Sequence, residues 1–195
     1  MGALNEILLT FAQWLGAQQW SSGLHESFYM YNWVETTHVL TLSVFLGMLF
    51  VIDLRMLGVC LTNVPASTIA HRLDKPMMLG FAVMIITGLL LYYAIPVRTT
   101  QSVWFRLKVI LLIAAGINAF LFRRKMSAAV ISWDRDAVPP KKVRMAAGLS
   151  LALWFGVIVT GRCIAYDWFD CNRPNPAFIN WAAGCTVEQE AAAAS

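Results

Sequence analysis

Charge is what this sequence has least of. Only 13 % of its 195 residues are Asp, Glu, Lys or Arg, while 58 % are hydrophobic and the mean hydropathy is +0.61. A soluble domain carries about 25 % charged residues, so a chain wetted on every side is excluded. Histidine is nearly as scarce. With only His25, His38 and His71 available, any metal or haem centre has very few ligands to draw on. Catalytic and phosphate-binding motifs are missing as well: there is no G-x-S-x-G, H-E-x-x-H, P-loop or G-x-G-x-x-G. A self-contained hydrolase or nucleotide enzyme is therefore not expected. The four cysteines include no C-x-x-C pair, which argues against a redox-active dithiol. No internal repeat is visible, so the inverted-repeat signature of many transporters is absent, and small-solute transport ranks third among the functional readings.

What is present is apolar sequence in long runs. A hydrocarbon core roughly 30 Å thick needs about 20 apolar helical residues. Four segments supply them, at about 33–55, 77–96, 103–122 and 146–166. The fold expected is an all-α membrane protein, a four-transmembrane-helix bundle over residues 32–167 that leaves both termini on one side. Residues 1–31 divide into an N-terminal interfacial amphipathic helix, with Leu4, Ile7, Leu8, Phe11, Trp14 and Leu15 at helical spacing, and a connecting loop over 21–31. They lack the basic n-region of a signal peptide. Residues 168–195 form a tail.

Basic residues orient the chain. Arg55, Arg72, Lys75, Arg123, Arg124, Lys125, Arg135, Lys141, Lys142 and Arg144 fall in or beside the two connections on one side of the membrane. The other side and the span ends nearest it hold Arg98, Arg106, Lys108, Arg162 and Arg173. The positive-inside rule makes the first set cytoplasmic and both termini periplasmic. Topology also accounts for the pI near 9.0, so no nucleic-acid partner is implied. Cys171 and Cys185 then lie in an oxidising compartment, where a disulfide across about 14 residues would tie the tail down. Cys60 and Cys163 are expected to be free.

Ionisable residues inside spans are costly, so they should face protein, a ligand or water. Glu35 and His38 lie in the first span, Arg106 and Lys108 in the third, and Arg162 with Tyr166 at the end of the fourth. Together with Tyr92 and Tyr93 they fall at similar depth near the periplasmic face and outline a candidate polar pocket. Simpler roles stand beside this one. Asn32 and Glu35 form an N-x-x-E start signal for the first span, the cations can anchor to lipid phosphates, and His25 can be a solvated surface residue. Asp53 and Arg55 read as a boundary pair that ion-pairs or snorkels. Pro65–Leu73 reads as a short interfacial helix ended by Pro76, with His71 about 20 Å or more from His38. Small residues repeat every four positions at Gly148, Ala152, Gly156 and Thr160, and at Ser43/Gly47 and Ala115/Ala119, and are expected to line close helix contacts.

A quinone in such a pocket would take a hydrogen bond from His38, with Lys108 or Arg162 supplying positive charge and Glu35 passing protons. A b-type haem would take His38 as axial metal ligand, His25 or a partner's residue as the sixth, and the cations for its propionates. The reading is a membrane subunit holding quinone or haem b for an oxidoreductase complex, with the lipid bilayer and other membrane or periplasmic subunits as partners. The rival is a cofactor-free structural or assembly subunit.

A set of motifs carries one resemblance: His38, Asp53-Leu54-Arg55 with Gly58, Thr87-Gly88-Leu89-Leu90, Phe105-Arg106-Leu107-Lys108 with Asn118, and Gly161-Arg162 with Ile164-Ala165-Tyr166. From about residue 33 to 167 the chain resembles an uncharacterised family of small four-span bacterial inner-membrane proteins. The resemblance implies a bacterial inner-membrane location and puts His38, Arg106, Lys108 and Arg162 in the shared pattern. More distantly the chain is similar to small membrane cytochrome subunits, from which it departs by lacking a second histidine within the membrane.

Overall fold

The computed structural model describes residues 3–27, 29–128, 133–166, 169–187, 189 and 193. Trp168, where the tail was expected to begin, and most of the stretch from 188 to 195 lie outside them. Among the described residues there is no strand. The helices are α1 (Ala3–Gly16), α2 (Gln19–Glu26), α3 (Met30–Leu57), α4 (Ala66–Ala94), α5 (Pro96–Thr100), α6 (Val103–Ala128), α7 (Lys141–Ala165) and α8 (Ala177–Ala183). Four of them, α3, α4, α6 and α7, are long and apolar enough to cross a membrane. An all-α multi-pass membrane protein follows, because in hydrocarbon a helix satisfies its own backbone polar groups.

Local chemistry sets the boundaries. The Ser27 hydroxyl accepts the Met30 N–H at 3.1 Å, so α3 begins ahead of the expected Asn32 signal, and Glu35 sits exposed inside the helix. Gly58, in the left-handed region at φ 77°, ends α3: its N–H reaches Arg55 O at 3.0 Å, and Val59 N–H reaches Leu54 O at 3.0 Å. This is the Schellman arrangement, and it needs a residue without Cβ at that turn. Three expectations change. Residues 19–26 form α2 rather than loop, the tail contains α8, and Pro76 does not end a helix but lies inside α4. A proline loses one backbone bond and crowds the carbonyl four residues back, yet an apolar run of this length in lipid has no better conformation than helix.

By internal contacts the chain divides into two units, Met1–Thr37 with Thr87–Ile110 and Ile158–Ser195, and His38–Ile86 with Leu111–Val157. The second unit packs on Phe45 of α3, whose ring meets Phe81 of α4 at 6.2 Å and Trp154 of α7 at 4.9 Å. Below this, Met56, Ala66 and Ala147 form a buried cluster. Asn118 of α6 donates to Ala146 O at 3.1 Å. The close approach of α6 and α7 comes at Gly156, where a Cβ would lie 3.0 Å from Leu111 Cδ1. Of the rest of the small-residue pattern, Ala115 and Thr160 are buried as expected, and the other members are not. Gly47, Gly116 and Gly148 have open space where a Cβ would go, and Ser43, Ala119 and Ala152 are exposed. The buried line on α7 keeps Thr160 but otherwise runs through Ala147, Trp154 and Val157, because one aromatic ring fills the interior that small residues would have closed.

Arg55 is the best-buried charge. It is 0 % exposed, with Nε donating to Val64 O at 2.8 Å and Nη2 to Asp134 O and Asp136 O at 3.2 and 3.1 Å. Asp134 in turn accepts the Ser67 N–H and hydroxyl at 2.7 Å each, capping the start of α4 from a distance in sequence. Asp53 and Arg55 therefore neither pair nor snorkel. Two residues apart on a helix they point in different directions, and Arg55 instead clasps two connections. Asp53 is 7 % exposed; its carboxyl group has a side-chain hydrogen bond with Ser150, while among the described residues its Oδ2 has no partner.

In the first unit α1 lies against α5. Cys171 and Cys185 form a disulfide whose buried cluster with Ala183 rests on Val103, the first residue of α6. Cys60 and Cys163 are free thiols.

Candidate functional site

Of the residues singled out in the sequence, Glu35, Arg106, Lys108, Arg162, Tyr166 and His25 fall in the first unit, while His38 is the first residue of the second. His38 is partly buried. The cations of the first unit have separate surroundings.

Arg106 is a tie. Its Nε donates to Thr100 O at 3.1 Å, and its Nη1 to both Asn5 Oδ1 at 2.9 Å and Ala182 O at 2.8 Å. One guanidinium thereby joins α1, the α5–α6 turn and α8, which uses its fixed fork of donors. Beside it Gln101, 4 % exposed, exchanges amide hydrogen bonds with Gln189 at 2.9 and 3.1 Å.

Arg162 and Tyr166 hold each other. Nη2 donates to Tyr166 Oη at 2.8 Å, with the guanidinium carbon 4.8 Å from the ring centre, and both side chains are exposed. Their i, i+4 spacing on α7 makes this contact a local one. The tyrosines of α4 are engaged too. Tyr92 Oη shares a hydrogen bond with Thr100 Oγ1 at 2.9 Å and its ring stacks on Phe105 at 5.5 Å, while Tyr93 is engaged through its backbone carbonyl, which accepts the Ser21 hydroxyl at 2.7 Å.

His25 is exposed on α2, its ring edge-on to Tyr31 at 6.1 Å. It lines an open cleft of about 270 Å³ with Ser21, Ser22, Glu26, Ile95 and Arg98.

Lys108 differs from the other cations. It is partly buried, its Nζ lies 3.5 Å from where a Cβ on Gly161 would stand, and among the described residues it has no hydrogen-bond or ion-pair partner. One turn earlier on α6, Trp104 Nε1 is buried and likewise has no acceptor. The Trp104 ring packs at 5.9 Å on Phe169, which follows α7 and adopts φ 60°. Residues four apart share a helix face, so the Trp104 ring beside Phe169 and the Lys108 ammonium beside Gly161 lie on one side of α6. An unsatisfied buried donor costs about 1–3 kcal/mol, and such groups call for an explanation. Sequence inspection missed Trp104 because an indole at a helix end reads as an interface anchor. Its i, i+4 relation to Lys108 was the available signal.

Fold and site together define a multi-pass, all-α membrane protein whose N-terminal helix and disulfide-closed tail are bonded to the first turn of a spanning helix. Within that class, the chain belongs to a family of unknown function, DUF6644, whose family model matches residues 23–167. No curated protein and no solved structure matches it.

Proposed function

We propose that this protein is an integral-membrane subunit that holds a quinone at the end of the bundle carrying the termini, for an oxidoreductase complex. The observation that carries the reading is a pair of donors one turn apart on α6: Trp104 Nε1, buried without an acceptor, and Lys108 Nζ, which has no hydrogen-bond or ion-pair partner among the described residues. A carbonyl oxygen accepts from either group, and an ammonium in a low-dielectric setting binds it best as negative charge grows there. A bound quinone would supply two-electron, two-proton chemistry. Lys108 holds one ligand oxygen and lends it positive charge. Trp104 orients the ligand through one N–H while its ring excludes water, and Gly161 leaves room beside the ammonium.

A b-type haem is less well supported, because the sole histidine of the first unit is His25, exposed and edge-on to Tyr31. A bacterial inner membrane is the location that the family resemblance implies, and the basic connections argue for both termini on its periplasmic side.

The second reading is an assembly subunit that binds partner proteins. Only 6 % of the apolar window of α6 is buried, which leaves most of that helix to lipid or to another protein.

Quinone extraction from the purified protein tests the first reading. Wild-type protein should carry quinone, Lys108→Met should lose most of it, and Trp104→Phe should retain it at reduced occupancy. Quinone-free wild-type protein, together with complex activity that survives Lys108→Met, would leave the assembly reading standing.

A further inference from the structure

The tail carries a surface that the ligand site does not use. Helix α8 presents Phe178 and Trp181 almost fully outward, at 70 % and 69 % exposure, with the two rings 6.1 Å apart. None of its seven residues is charged. The opposite face is fixed. Ala183 is buried with the Cys171–Cys185 disulfide against Val103, Ala182 O takes the Arg106 hydrogen bond, and Gly184 closes the helix at φ 76°. Val103 and Arg106 form the first turn of a spanning helix, so α8 is held at the level where that helix enters the membrane. The Arg106 group that binds Ala182 O also binds Asn5 of α1, whose exposed line is Leu4, Ile7, Phe11 and Trp14.

We infer that α8 is an interfacial membrane anchor, with Phe178 and Trp181 seated among the headgroups and upper acyl chains of the leaflet on the side of the termini. A lipid surface fits better than a protein partner for three reasons. The face is uncharged and lies at the depth of the aromatic belt, where indole and phenyl rings concentrate. It continues the apolar exterior of the spans and of α1. The basic residue of the disulfide loop, Arg173, is exposed just ahead of α8, where it can reach lipid phosphate while the rings stay in the boundary layer. The disulfide gives the short helix the fixed position that seven residues cannot maintain alone.

The test uses full-length protein in phosphatidylcholine vesicles. Trp181 emission is taken as the difference between wild type and Trp181→Phe, with acyl chains brominated near the headgroup or near the chain end. Shallow bromines should quench that emission roughly twofold more than deep ones, and aqueous iodide should have little effect. A second measurement needs no variant: a phosphatidylcholine with a diazirine near the headgroup should label the disulfide-closed peptide of the wild-type protein. Quenching by iodide with no lipid label would show that α8 faces water and overturn the inference. Protection from iodide, bromine and diazirine alike would show a protein covering it, a second copy or another subunit, and would overturn it equally.

Discussion

At the scale of single residues, two cations on α6 that look alike in the sequence have opposite energetics. Arg106 makes three hydrogen bonds to groups from separate segments, so Arg106→Ala strands Asn5 and two backbone carbonyls. It should lower stability by about 2–3 kcal/mol, and Arg106→Lys should recover less than half of that, because an ammonium cannot reproduce the fork. Among the described residues Lys108 has no hydrogen-bond or ion-pair partner to strand. Removing a partly buried, unpaired charge relieves a desolvation cost, so Lys108→Met should leave stability unchanged or raise it by on the order of 1 kcal/mol. Thermal unfolding in detergent reads both effects. A large loss for Lys108→Met would show that Lys108 holds the fold together and would remove the basis for a ligand there. Both residues were legible as buried cations, but which one was tied down was not, since the acceptors Asn5 and Ala182 lie far from Arg106 in the chain.

At the scale of elements, the contact between α6 and α7 turns on one glycine. A Cβ at Gly156 would stand 3.0 Å from Leu111 Cδ1, whereas one at Gly148 would meet nothing within 4 Å. Gly148→Ala should therefore be neutral or stabilising by up to about 1 kcal/mol through helix propensity. Gly156→Leu should cost about 1–3 kcal/mol by overpacking, with Gly156→Ala between the two. Unfolding by denaturing detergent ranks the three variants. Equal effects at 148 and 156 would show that the helices approach elsewhere. In the tail, the disulfide closes a sequence separation of 14 residues around α8. Reduction should destabilise the first unit by about 3 kcal/mol on the chain-entropy account. Protease should then cut within 171–185 in reduced protein and not in oxidised protein, as peptide mapping can verify.

At the scale of the whole molecule, the proposed orientation in the bilayer rests on the distribution of charge between the connections. Single cysteines placed at Lys141 and at Asn172, in a background lacking Cys60 and Cys163, should differ in labelling by an impermeant maleimide on intact cells. The site at 172 should react directly, and the site at 141 only after the membrane is opened. Direct labelling at 141 would invert the topology and move the proposed ligand site to the cytoplasmic face.

The sequence by itself determined the solvent of this protein and, through it, the fold class. Four apolar runs near 20 residues leave a helix as the only backbone that lipid tolerates, and that holds whatever the helices pack against. It also determined the free and paired cysteines, because their positions relative to the spans separate them. The tertiary structure alone decided the packing and which polar groups are tied down. Small-residue spacing at Ser43/Gly47 and Gly148/Ala152 looked like an interface but faces outward, since burial depends on which side of each helix the rings of Phe45 and Trp154 occupy. Arg55, expected at the boundary, became the most buried charge because three carbonyls from distant connections meet it. Of the cations grouped by depth in the sequence, Arg106 ties three segments and Arg162 holds Tyr166, whereas Lys108 has no partner among the described residues. A hydrogen-bond donor declares itself available only when every acceptor around it has been placed, and those acceptors come from segments that sequence order keeps far apart.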